Sequence, residues 1–152
     1  MAEVQCGFAN GQSEGAAANE LCQTGPTLHV RIGFDQNFSV AQAGLPHILE
    51  RAFPALIDTG AFENCIDTRL ARRLRLPVID RTILSGASGP AVFNLHMAQI
   101  IIPDLNCLLY GQFAGIRLAE GEQPHQALIG RNLLEKFRMI YNGKTGSVLL
   151  QT

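Results

Sequence analysis

The stretch "ALIDTGAFENCIDTRL", Ala55 to Leu70, holds the tripeptide Ile-Asp-Thr twice. The first copy, Ile57-Asp58-Thr59, runs into Gly60; the second, Ile66-Asp67-Thr68, runs into Arg69. An apolar strand that ends in Asp-Thr-Gly buries the approach to a carboxylate. Glycine alone takes positive φ at no steric cost, so Gly60 lets the chain turn and aim backbone N–H groups at Asp58. Thr59 adds a hydroxyl that can brace the loop. Asp67 has no glycine behind it. Leu70, Ala71 and Leu74 follow at helical spacing, with Arg69, Arg72, Arg73 and Arg75 on the other, solvated faces. That is a short amphipathic helix ended by Pro77. Asp67 stands where its N-cap belongs, accepting orphan N–H groups at the positive end of the helix dipole.

Outward from this stretch the pattern is short strands. "TLHVRIGF" alternates Leu28, Val30 and Ile32 with His29 and Arg31, the period of a half-buried strand. "RAFPALID", Arg51 to Asp58, is a second strand. After Pro77 come strand, glycine-rich turn (Ser85 to Pro90), strand and strand, so the turn is a hairpin tip. "CLLYGQFAGIRLA" continues as strand, and "ALIG", Ala127 to Gly130, is a short apolar strand. "RNLLEKFRMI" has a helical stripe of Leu133, Leu134 and Phe137. "YNGKTGSVLL" is a hairpin turning at Asn142-Gly143. Met1 to Pro26 is rich in Ala, Gly, Asn and Gln and is expected to be a flexible N-terminal arm. A pro-segment or regulatory arm is the alternative there. The sum is all-β, mainly strand with two short helices, and points to a closed β-barrel-like domain over residues 27–152 rather than an α/β sheet.

Composition narrows the function classes. Hydrophobic residues make up 47% and charged residues 16% of the 152, enough for one cored domain. A formal net charge of −1 leaves no cationic excess to hold nucleic acid. The longest apolar run, "AQIIIP", is too short to span a bilayer. No signal peptide is expected, because no basic residue precedes Arg31 and no apolar h-region is present. Cys6, Cys22, Cys65 and Cys107 form no Cys-x-x-Cys pair. They read as reduced thiols of a cytoplasmic protein, with an anchor outside this sequence left open. Cys65 and Cys107 are expected as small core residues. His29, His47, His96 and His125 are scattered without metal-ligand spacing, so no metal is expected.

Three elements taken together closely resemble the retroviral-type (retropepsin-like) aspartic proteases, and more their cellular and bacterial branch than the viral one. They are apolar-Asp58-Thr59-Gly60-Ala61, the hairpin Gly86-Ala87-Ser88-Gly89, and Leu128-Ile129-Gly130-Arg131-Asn132-Leu133-Leu134. The resemblance runs from about Thr27 to the C-terminus. It implies an acid-protease barrel with one lobe per chain, no cofactor, and an extended peptide or protein as substrate. It also implies a catalytic pair of aspartates that activates a water against a peptide carbonyl. Two carboxylates about 3 Å apart repel by about 5–6 kcal/mol at an effective dielectric of about 20, so the pair holds a single shared proton. This chain supplies one Asp-Thr-Gly, because Asp35, Asp67, Asp80 and Asp104 lack the Thr-Gly that follows Asp58. The pair is therefore expected from two copies of Asp58 in a homodimer, with Thr59 interlocking across the two-fold axis.

By the same resemblance the Gly86–Gly89 hairpin is the flap that covers the peptide, and Ala61, Glu63, Gly130, Arg131 and Asn132 support the active loop. One position departs from the family. The viral enzymes carry an acid four places after the catalytic Asp, paired with the arginine that Arg131 matches; here that place is Phe62. Glu63 is the nearest substitute, and an Arg131–Glu63 contact is expected. Two other readings remain open: a non-catalytic retropepsin-like dimerisation or peptide-binding module, and an enzyme held inactive by its N-terminal arm.

Overall fold

A computed structural model describes residues 1–152. The chain begins with β1 (Glu3–Gln5) and α1 (Glu14–Thr24), then forms β2 (Thr27–Gly33), β3 (Ala52–Ile57) and β4 (Asn64–Asp67). Next come α2 (Thr68–Arg73), β5 (Val78–Gly86), β6 (Gly89–Ile102) and β7 (Cys107–Ile116). β8 (Ala127–Ile129), α3 (Arg131–Leu134), β9 (Arg138–Asn142) and β10 (Ser147–Gln151) complete it.

The strands close a barrel in the order β2-β3-β8-β4-β7-β6, and β6 returns to β2 through Arg31–Ile101, Ile32–Ile100 and Gly33–Gln99. The fold is mainly β, as the strand periods predict. Leu28, Val30 and Ile32 of β2 and Phe53, Ala55 and Ile57 of β3 are buried in alternation. They meet Ile100, Ile102 and Phe113 in one core. Closure leaves no open edge around this core. Of this sheet, only β5 lies outside the ring, hydrogen-bonded to the first half of β6 as a long projecting hairpin. Two pairings, β3–β8 and β4–β7, are parallel. They bring the ends of β3 and β8, distant in sequence, side by side.

Residues 1–26 are not a loose arm. β1 pairs antiparallel with β10, which pairs with β9, making a second, three-stranded sheet. Ala17 and Leu21 of α1 are buried, as is Cys6. Ser13 caps α1 by accepting from the Ala16 N–H at 3.3 Å, and Gly25 at φ 82° ends it. The inward face of α1 is little more than one i, i+4 pair, too narrow a stripe to stand out among polar neighbours. Leu21→Ala is expected to cost about 2–5 kcal/mol of stability in urea unfolding, the range for a buried leucine. A chain whose arm stayed free would show no change.

The second sequence-predicted helix is shorter than its apolar stripe suggests. α3 ends at Leu134, and Arg138, Met139 and Ile140 pair as strand with Gln151, Leu150 and Leu149. Ladder pairing overrides the helical period there. Asn142 starts the final hairpin as expected, its Oδ1 accepting from the Lys144 N–H at 3.1 Å. The loop is longer than two residues, because Gly146, at φ 73°, closes it against the backbone of Ala17.

Candidate active site

β3 delivers Asp58 to the end of the barrel, where its N–H donates to the Ile129 carbonyl at 2.9 Å. The Gly60 N–H donates to Asp58 Oδ1 at 2.9 Å, and the Ala61 N–H reaches the Asp58 carbonyl at 3.3 Å. The carboxylate is thus held by the turn that follows it. The reason for glycine differs from the one its turn chemistry suggests. Gly60 is not among the glycines with positive φ; a Cβ there would stand 3.1 Å from Asp58 Oδ1. What the position needs is room beside the carboxylate.

The loop from Asp58 to Glu63 is stapled to the segment after β8. The Arg131 N–H donates to the Ala61 carbonyl at 2.9 Å and the Asn132 N–H to the Phe62 carbonyl at 3.2 Å. Arg131 Nη1 donates to the Thr59 carbonyl at 2.8 Å. The expected Arg131–Glu63 contact is not made. The guanidinium spends its donor on loop backbone, and Glu63 Oε2 instead accepts from Asn132 Nδ2 at 3.4 Å. Gly130 is required by closeness, since a Cβ would lie 2.5 Å from the Glu63 carbonyl oxygen.

One organising residue carries little mark in the sequence. Asn64 is fully buried; its Oδ1 accepts from the Gly130 N–H at 2.8 Å and its Nδ2 donates to the Gln112 carbonyl at 3.1 Å. It ties the Asp58 loop, the Gly130 turn and β7 together. The available signal is an amide opening an otherwise apolar strand, Asn64-Cys65-Ile66, which implies a dedicated partner.

Asp58, Gly60, Ala61, Phe62, Glu63 and Cys65 form one wall of a groove of about 510 Å³; Thr82 to Ser85 of β5 form the other. Phe62 and Ile83 stand 62% and 69% exposed along it. At the tip of the β5–β6 hairpin, Gly86 pairs with Gly89 across Ala87-Ser88, and Gly89 takes φ 95°. Cys65 is the one thiol in the groove. Burial pushes it up to about 11, helped by the charges of Glu63 and Asp58. It therefore stays protonated and offers no thiolate nucleophile near neutral pH.

The second Ile-Asp-Thr is architectural. Asp67 Oδ2 accepts from the Arg69 and Leu70 N–H groups at 3.2 and 3.4 Å, capping α2, and Oδ1 accepts from the Ala119 N–H at 3.0 Å. No group of His, Cys, Asp and Glu side chains is arranged to hold a metal ion.

No protein-family model and no curated protein matches the chain. Among solved structures it is similar to the EIAV protease complexed with the inhibitor HBY-793, at 18% sequence identity and a TM-score of 0.46. The match covers 73% of this chain and 86% of that one. The barrel's own strand pairing defines the fold.

Proposed function

We propose that the protein is an aspartic endopeptidase acting as a homodimer, with one Asp58 from each subunit. The observation that carries this is the presentation of Asp58: a carboxylate fixed by the Gly60 N–H, in a groove whose opposite wall is the β5 strand of a glycine-tipped hairpin. An extended peptide in that groove would lie along β5, adding strand-like hydrogen bonds, with the hairpin as its flap. Of the paired carboxylates, the ionised one takes a proton from water as the oxygen attacks the peptide carbonyl carbon. The protonated one gives its proton to the carbonyl oxygen. Collapse of the resulting gem-diol breaks the C–N bond, and the leaving nitrogen takes a proton. Arg131, Asn132 and Asn64 position the loop and do not touch the reacting atoms.

The test is a peptide library incubated with wild type and with Asp58→Asn between about pH 4 and 7, with cleavage mapped by mass spectrometry. The variant is expected to lose about 10³-fold in rate. Equal cleavage by both would sink the mechanism. The exposed apolar walls at Phe62 and Ile83 favour a second reading, a peptide-binding module with little turnover. That reading expects wild type and Asp58→Asn to bind the same peptides and neither to cut them.

A further inference from the structure

Three cavities of this chain share walls. The groove at Asp58 includes Leu84 and Ser85 in its lining. The same two residues line a second cavity, of about 700 Å³, which follows the hairpin to Arg117 and Thr68. Arg117 and Thr68 in turn line a third, of about 260 Å³, together with Arg69 and Arg72 of α2. Shared lining residues thus set these cavities side by side along the hairpin, from the proposed catalytic carboxylate to a pocket lined by Arg69, Arg72 and Arg117.

That pocket is smaller than an ordinary small-molecule site and suits the head of one side chain. Its own carboxylates are Asp67 and Glu120. Asp67 is occupied by three backbone N–H groups. Glu120 meets Arg117 at 3.7 Å through side chains 58% and 79% exposed, a weak pair. The chain has three ion pairs, and neither Arg69 nor Arg72 takes part in any. Arg69 and Arg72 thus line the pocket without an ion-pair partner, and a guanidinium fork can bind a carboxylate bidentately.

We infer that the peptide-binding cleft extends along the hairpin into this basic pocket, which takes an acidic side chain of the substrate at a position distal to the scissile bond. The inference rests on the endopeptidase reading for what lies in the cleft. Side chains of an extended peptide alternate in direction and advance about 3.3 Å per residue, so the preference falls on one distal position and not on its neighbours. A two-fold dimer has one such pocket at each end of its cleft. A substrate with an acid on both sides of the scissile bond is the best fit.

The experiment scans a Glu/Gln pair, one position at a time, along a fluorescent peptide of fixed core sequence. Binding is read by anisotropy on full-length Asp58→Asn, and cleavage on wild type. Glu is expected to bind about five-fold tighter than Gln at one distal position on each side, less so in high salt. Arg69→Gln with Arg72→Gln should erase that difference, and circular dichroism and urea unfolding matching those of the parent show that the variant is folded. Equal affinity of Glu and Gln at every position overturns the inference, as does a preference that survives the double substitution. Cleavage without a charge preference overturns the pocket and leaves the enzyme. A charge preference in binding without cleavage by wild type supports the pocket and sinks the endopeptidase.

Discussion

Wild-type chains refolded together with an equal amount of Asp58→Asn are expected to retain about a quarter of the cleavage rate of the same total amount of wild type. Random pairing leaves that fraction of dimers with two intact carboxylates, and a dimer with one carboxylate lacks either its base or its acid. The measurement is a dose series at chain concentrations where the rate is proportional to concentration. The rate should follow the square of the wild-type fraction. A linear fall, with half the rate left at equal mixing, would mean that a single chain carries the whole site. Asp58 is held by its own turn and by the β8 backbone, so the substitution to Asn keeps its size and removes only the charge. The curve therefore reports chemistry and not misfolding.

Gly130→Ala is expected to destabilise the fold by about 3 kcal/mol and to abolish cleavage. The added Cβ would sit 2.5 Å from the Glu63 carbonyl oxygen and 2.7 Å from that of Phe62. Both are backbone atoms, and neither can swing aside like a flexible side chain. Moving them pulls on the Arg131 and Asn132 N–H staples and on the Asn64 bond to the Gly130 N–H. Urea unfolding measures the loss. Gly15→Ala provides the contrast: it lies in α1, and a Cβ there would meet nothing within 4 Å, so alanine should add about 0.5–1 kcal/mol. Equal effects at the two positions would mean that the close approach at Gly130 is absent in solution.

The strands of the barrel and the different fates of the two Ile-Asp-Thr copies are legible in the sequence because they are local. Alternation at Leu28, Val30 and Ile32 announces a strand by itself, and Asp67 before an amphipathic run announces a cap. What is not legible depends on partners distant along the chain. Asn64 acquires its role from Gly130, 66 positions away, and from Gln112, 48 away. Arg131 invites a carboxylate partner by its charge, yet it bonds a main-chain carbonyl, and carbonyls carry no mark in a sequence. Gly60 stands out for a reason the folded loop does not use: turn chemistry names positive φ, which Gly60 does not adopt, while a Cβ there would crowd the Asp58 carboxylate at 3.1 Å. The β1–α1 segment hides for a related reason. Its strand partner is β10, and Gly146 packs against Ala17, both distant along the chain.

That last pairing has a consequence for how the molecule is made. Glu3–Gln5 are synthesised before every strand of the barrel, and their partner strand, Leu149–Gln151, after all of them. Closing so long a loop is entropically slow. Through most of translation the apolar face that carries Cys6, Ala17 and Leu21 has no strand to cover it. The six-stranded ring can assemble first, with the β1–α1 segment waiting for β10 to seal it.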